Sequence, residues 1–306
     1  MLNDRVQNIA IDVGRGYLKY YSEYNGNIYK GMFKSIIGEY RPLNFNDYDD
    51  PICIEYEGES YFCGSLAEKE SHQAVRNSGD SKTSLTVQIL INAVLSRIAM
   101  TDTVNLMIGV PNNSYKKSVL LDVIDVYQGK KIIVKDKINN NTKRVVIGMV
   151  DIFKEADAIM MKETNGEPDE NIDIAFISVG FRTTECSYYS KGNHVDKYSR
   201  TILFGNQTIL SMVQEKLKDR GIIHDLNYID SNVGDYDDLK EKAYKLSSEV
   251  LTQKIEEIIP NGFSETKILV GGGTALRMQL DSRFELIEDA QFAVVIGLFK
   301  TAELTF

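Results

Sequence analysis

The chain has 306 residues, 43% of them hydrophobic and 26% charged, with a formal net charge of −9. That length accommodates two domains of ordinary size, and the composition is that of a globular rather than a disordered protein. The acidic balance argues against non-specific nucleic-acid binding, which needs a basic surface, so any DNA contact is expected to pass through a basic adaptor. No apolar run approaches membrane-spanning length, no leader is visible, and Cys53, Cys63 and Cys186 lack metal-ligand spacing. A reduced, cytoplasmic setting with buried thiols is the expectation. His72, His194 and His224 are scattered and suggest neither a metal site nor a triad.

The first informative stretch is IAIDVGRGYLK, residues 9–19. An apolar run delivers Asp12 to a turn holding Gly14 and Gly16, and Lys19 follows on the next strand-like stretch. Glycines permit positive φ and let backbone N–H groups approach anionic oxygens. Lys19 offers a point charge to phosphate, and Asp12 can hold Mg²⁺ through water. Arg15 either reaches phosphate or faces solvent. The plain alternative is a β-hairpin turn with a lysine on its far arm.

Strands are expected over 17–24 and 28–33, joined at Asn25-Gly26, the strongest short hairpin signal. Residues 38–51 read as an acidic loop, and 52–56 with 61–64 as a second hairpin. A helix over 84–100 carries Leu85, Ile89, Leu90, Ala93, Val94 and Ile98 at spacings of three and four. A buried strand over 104–110 follows, then a helix over 114–127, strands over 130–134 and 144–149, and a helix over 153–162. The stretch 163–169, with Gly166 and Pro168, is the expected boundary.

Strands over 173–179 and 185–189 open the second half, with Ser178 near the end of the first and Gly180, Arg182, Thr183 and Thr184 between them. A helix over 206–219 ends at Arg220-Gly221, 222–237 looks irregular, and a long amphipathic helix over 238–259 stops at Pro260-Asn261-Gly262. A last strand from 268 runs into Gly271, Gly272, Gly273 and Thr274 and a helix-forming run, and 289–300 is helical. A glycine triplet after a strand lets a flat ligand group lie on bare backbone, with a helix N-terminus aimed at it. Three such strand-to-turn elements suggest one nucleotide held between two domains. The similar openings at 9 and 174 suggest a duplicated fold.

Taken in order, these stretches resemble the actin and sugar-kinase superfamily, most closely the bacterial actin-like plasmid-segregation proteins of the ParM type. Asp12, Gly14 and Lys19 match the family's first phosphate loop, Asp-x-Gly-x-x-x-x-Lys. Gly271, Gly272 and Gly273 match its adenosine loop, and 289–300 is similar to its second connecting helix, where Gly297 would permit close packing. The resemblance implies an α/β actin-like ATPase fold, two RNase H-like domains flanking a nucleotide cleft, with a reduced second small subdomain. It divides the chain into domain I at 1–162, with a small-subdomain insertion around 33–80, domain II at 163–288, and a C-terminal helix at 289–306 returning to domain I.

The resemblance also implies a chemistry. Phosphoryl transfer needs charge neutralisation and a positioned water. ATP or GTP would bind with Mg²⁺, Asp12 ordering the metal's shell and Lys19 with the backbone of Gly14, Arg15 and Gly16 holding the β- and γ-phosphates. The second loop departs from the family's Asp-x-Gly-x-x-Thr-x-Asp, having Ser178, Gly180, Thr183 and Glu185. Ser178 can hydrogen-bond a metal-bound water but brings no charge, so slow hydrolysis is expected. Thr183 and Thr184 are hydroxyl donors or ordinary sheet threonines, and Arg182 could replace lost polar contacts.

Glu155 is the candidate for orienting the attacking water. Lys154 stands where the family usually has proline, Asp157 is the substitute, and a plain helix-surface carboxylate is the alternative for either. Lys240 and Glu241 are similar to the actin pair beside adenine and ribose, or are simply a charged first turn. Thr274 completes the nucleotide-binding set. The implied function is a nucleotide-fuelled filament driving plasmid segregation. Its partners would be copies of itself and an adaptor DNA-binding protein, with plasmid DNA reached only indirectly and no membrane. A small-molecule kinase of the same superfamily and a non-hydrolysing nucleotide-binding scaffold are the alternatives.

Overall fold

A computed structural model describes residues 6–306 apart from Asp80, Val233 and Asn261. The middle residue of the stop expected at Pro260-Asn261-Gly262 therefore lies outside the described residues, as does the end of the insertion expected around 33–80. The chain divides into two units, Met1–Ala158 with Val295–Phe306, and Ile159–Val294.

The first unit opens with β1 (Gln7–Val13), β2 (Tyr17–Tyr24) and β3 (Asn27–Lys34), an antiparallel meander. Asn25 and Gly26 both take positive φ between β2 and β3, as a tight hairpin with right-handed strand twist requires. Next come β4 (Ile36–Glu39), β5 (Ile52–Tyr56), β6 (Glu59–Cys63), α1 (Ser65–Glu70) and β7 (Val75–Arg76). Of these, β4, β5, β6 and α1 share a small core of Ile36, Cys53, Phe62, Leu66 and Ala67.

Helix α2 (Leu85–Ile98) is capped by Ser84, whose hydroxyl accepts from the Val87 amide. It is apolar on nearly every side, so it lies inside the main core rather than on a surface. Then follow β8 (Thr103–Val110), α3 (Lys117–Tyr127), β9 (Lys131–Asp136) and β10 (Asn141–Lys154). The resulting ten-stranded sheet has the order β3-β2-β1-β8-β10-β9-β5-β6-β4-β7. At its centre β1, β8 and β10 run parallel, and β8 is buried from Val104 to Val110, as a central parallel strand must be.

The helix expected from 153 begins at Glu155 instead, because Phe153 and Lys154 still pair with Gly109 and Val110 of β8. That helix, α4 (Glu155–Thr164), carries the chain out of the first unit.

The second unit contains β11 (Asp173–Val179), β12 (Thr184–Ser190), β13 (Asn193–His194), β14 (Arg200–Ile202), α5 (Asn206–Lys218), α6 (Leu226–Ser231), α7 (Asp237–Glu256), β15 (Thr266–Gly271) and β16 (Phe284–Leu286). Its sheet has the order β13-β12-β11-β15-β16, with β14 also paired to β12. Like β1, β11 folds back on an antiparallel neighbour and runs parallel to a later strand. Residues 222–237 are not wholly irregular: Asp225 accepts from the Tyr228 amide and starts α6. After the glycine triplet there is no α-helix, only a single 3₁₀ turn over Ala275–Arg277 before Met278 becomes extended.

Helix α8 (Ala293–Thr305) returns the chain to the first unit. It starts later than the expected 289, since Asp289 takes positive φ and closes a turn with the Phe292 amide. A Cβ on Gly297 would lie 1.6 Å from the carbonyl oxygen of Ala158, so only glycine fits there. Phe299 meets Tyr21 edge-on at 5.2 Å. Among the described residues, no helix is long and apolar enough to cross a membrane.

Candidate functional site

In the first unit the β1–β2 hairpin sets Asp12 directly opposite Lys19. Opposed residues on antiparallel strands share a face. Lys19 Nζ lies 3.9 Å from Asp12 Oδ2, and each side chain is 11% exposed. Neither Gly14 nor Gly16 takes the positive φ expected of them. Gly14 is needed for space, since a Cβ there would come within 2.8 Å of the Tyr17 carbonyl oxygen.

The turn is fastened by its carbonyls. Lys82 Nζ donates to Val13 O at 3.0 Å, Asn77 Nδ2 to Gly14 O at 3.4 Å, and the Ser35 amide to Gly16 O at 3.0 Å.

Gly109, near the end of β8, separates two acids. A Cβ there would lie 3.8 Å from Asp12 Cα and 3.5 Å from Glu155 Cγ. Asp12 and Glu155 thus stand at the carboxyl ends of the parallel strands β1 and β10, where open α/β sheets receive ligands. Asp157 is engaged elsewhere, its carboxylate pairing with Lys154 Nζ at 3.4 Å, and it is 6% exposed. Arg15 is half-buried on the turn itself.

No cluster of three or more His, Cys, Asp or Glu among the described residues could hold a metal alone. Nucleotide-bound Mg²⁺ takes one or two carboxylates with phosphate oxygens and waters rather than such a cluster. Asp12, beside Lys19, could supply one such carboxylate, and an ion held there would neutralise phosphate charge.

In the second unit Ser178 lies opposite Glu185 on β12 and beside Gly271 on β15. Thr201 Oγ1 donates to Glu185 Oε2 at 2.6 Å. The Gly180 amide donates to Thr183 O and closes the turn, on which Arg182 and Thr183 are half-buried. Thr184 is fully buried and its hydroxyl donates to Phe204 O at 2.9 Å.

The glycine triplet is required by close packing. Gly272, at φ +96°, leaves only 2.3 Å between a Cβ and Val179 O, and Gly273 faces the Gln291 side chain. Thr274 Oγ1 donates to Gly180 O at 2.9 Å, tying the triplet to the 180–183 turn. Lys240 Nζ donates to Asn232 O and Glu241 is exposed, so neither is hydrogen-bonded to the triplet.

Sequence reasoning missed a polar cluster just past the triplet. Arg277 Nη1 reaches Asp230 Oδ1 at 2.8 Å and Tyr244 Oη at 3.3 Å, and Tyr244 Oη donates to Asn206 Oδ1. Burial works against the Arg277 charge, but the bonds to Tyr244 and Asp230 prevail and hold its pKa above the usual value. Burial likewise pushes the Tyr244 hydroxyl up. It also missed Lys82 and Asn77, single polar residues in a polar stretch that carry no periodic or motif signal.

Residues 10–156 match the family model for the actin-like proteins' N-terminal domain. The whole chain superposes on solved structures of the same architecture. An archaeal actin homolog in complex with ADP has a TM-score of 0.77 at 16% identity, over 98% of this chain and 100% of that one. The fold is actin-like. Bacillus thuringiensis ParM with ATP superposes with a TM-score of 0.70 at 14% identity, over 98% and 99% of the two chains. AlfA from a B. subtilis plasmid, solved as a filament, gives 0.60 at 18% identity, over 96% and 98%. No curated protein matches the sequence. The resemblance read from the loops thus holds, and the actin-like fold accounts for both sheets.

Proposed function

We propose that this actin-like protein binds ATP or GTP with Mg²⁺, assembles into filaments, and hydrolyses the nucleotide slowly. Such filaments would segregate plasmid DNA in the cytoplasm through an adaptor protein. The observation that carries the nucleotide reading is the grouping of Asp12, Lys19 and Glu155 around Gly109 and the braced 14–16 turn. Lys19 supplies charge to phosphate, Asp12 a carboxylate for Mg²⁺, and Glu155 a base that can hold a water. Asp157 serves as the fallback for Glu155. In the second unit, Gly180, Arg182, Thr183, Thr184, Lys240, Glu241, the triplet and Thr274 are assigned to the nucleotide, and Ser178 to a metal-bound water.

The ADP and ATP carried by the two relatives support the ligand class, and the AlfA filament supports self-association. A non-hydrolysing nucleotide-binding scaffold is the second reading, favoured by the serine at 178.

High-speed sedimentation with light scattering separates these readings. Purified protein is given ATP, GTP, ADP or no nucleotide, with and without Mg²⁺, and phosphate release is followed in parallel. Pelleting that needs a triphosphate, with phosphate released, is the expected result. Pelleting without release favours the scaffold, and a protein that stays soluble while binding nucleotide rejects the filament.

A further inference from the structure

Lys82 is 7% exposed, yet among the described residues no carboxylate lies within ion-pairing distance of its ammonium. Its Nζ donates to a neutral partner, the Val13 carbonyl, at 3.0 Å. The backbone behind it is fixed, because the Tyr127 hydroxyl, itself in the core, donates to Lys82 O at 2.7 Å. An ammonium has three donors, and burying one without an opposite charge is costly. Val13 lies between Asp12 and Gly14, so this charge is held at the base of the turn already assigned to phosphate.

We propose that Lys82 is a phosphate-binding residue whose counter-charge is the nucleotide's own phosphate chain, a second cation beside Lys19. The proposal rests on the nucleotide reading above. It explains why a buried ammonium with no carboxylate partner among the described residues is retained inside the first unit: the site is complete only when an anion occupies the 14–16 turn. A lysine that served only to brace Val13 would need no net charge.

The test uses Lys82→Met, which keeps the stem without the charge, and Lys82→Gln, which keeps a donor for Val13 O without the charge. Calorimetry with Mg-ATP and Mg-GTP gives affinity, and thermal unfolding with and without nucleotide gives stability. The expected result is a nucleotide-free Tm at or above that of the unaltered protein, with affinity reduced at least tenfold in both variants and restored in part by Lys82→Arg. A lowered nucleotide-free Tm in Lys82→Met, with Lys82→Gln binding ATP as tightly as the unaltered protein, would make Lys82 a brace and overturn the proposal alone. Should the unaltered protein bind neither triphosphate, the nucleotide reading falls and this proposal with it.

Discussion

Lys19 Nζ and Asp12 Oδ2 face each other at 3.9 Å across directly opposed positions of β1 and β2. The pair is mostly shielded from water, so each charge offsets the other before any ligand arrives. On the proposed nucleotide reading, a Mg²⁺–phosphate group would bring both opposite charges at once, the metal for Asp12 and the phosphate for Lys19, and would enter without stranding either residue.

Asp12→Ala is therefore expected to abolish the Mg²⁺-dependent part of nucleotide affinity. A tenfold loss, about 1.4 kcal/mol, is the least that calorimetry with Mg²⁺ and then with EDTA should read. Lys19 remains in the variant, so weak metal-independent binding is expected to persist. An undiminished Mg²⁺ effect would remove Asp12 from the site.

Ser178→Asp tests the second loop. The new carboxylate would face Glu185 in register on β12, and opposed like charges destabilise a sheet by up to about 1 kcal/mol. The variant should unfold at lower temperature without metal and release phosphate faster with Mg²⁺ and nucleotide. An unchanged rate of release in a folded variant would end the argument from the missing charge.

Gly297 and Gly58 form a matched pair of alanine substitutions. At Gly297 a Cβ would lie 1.6 Å from Ala158 O, whereas Gly58, at φ +85°, has nothing within 4 Å. Gly297→Ala should cost about 3 kcal/mol or more through overpacking, and Gly58→Ala about 1 kcal/mol through backbone strain alone. Urea unfolding measures both, and equal losses would contradict the packing.

Acid should weaken the second unit through Asp173. Its carboxylate accepts from Tyr188 Oη at 2.6 Å and Ser190 Oγ at 2.8 Å, and these bonds, Tyr188's foremost, hold its pKa below the usual value. A carboxyl depressed by folding contributes stability above its unfolded pKa and loses it as pH falls, here from about pH 4 downward. Asp173→Asn should flatten that part of a Tm-against-pH curve. A curve of unchanged slope would show that other groups govern acid unfolding.

The parts legible in the sequence were those with a local cause. Ile9 to Ile11 and Ile174 to Val179 read as buried strands because apolar runs end at an acid or a glycine. The three-four spacing along α2 gave its type and nearly its ends. Helices α1 and α6, of six residues each, are too short to display a period. Lys154 followed by Glu155, Ala156 and Asp157 looks helical throughout, and only pairing with Val110 keeps Lys154 in a strand. The run after Thr274 has helical propensity, but it gives only one 3₁₀ turn before the chain becomes extended. In the candidate site, Asp12 and Lys19 were marked out by spacing, and the β1–β2 register sets them opposite each other. Lys82 was not, because its burial against Val13 comes from tertiary structure alone.

The first unit is built from two separated pieces, with Ile159–Val294 emerging between them during synthesis. Domains generally fold as units while the chain leaves the ribosome. Here the earlier-made unit must wait: the second unit can fold as soon as its own residues are out, whereas Phe299 cannot meet Tyr21, nor Gly297 seat against Ala158, until Val295–Phe306 has been translated. The order of completion is thus the reverse of the order of initiation, and a chain ended after Val294 would hold every residue of the second unit while lacking part of the first.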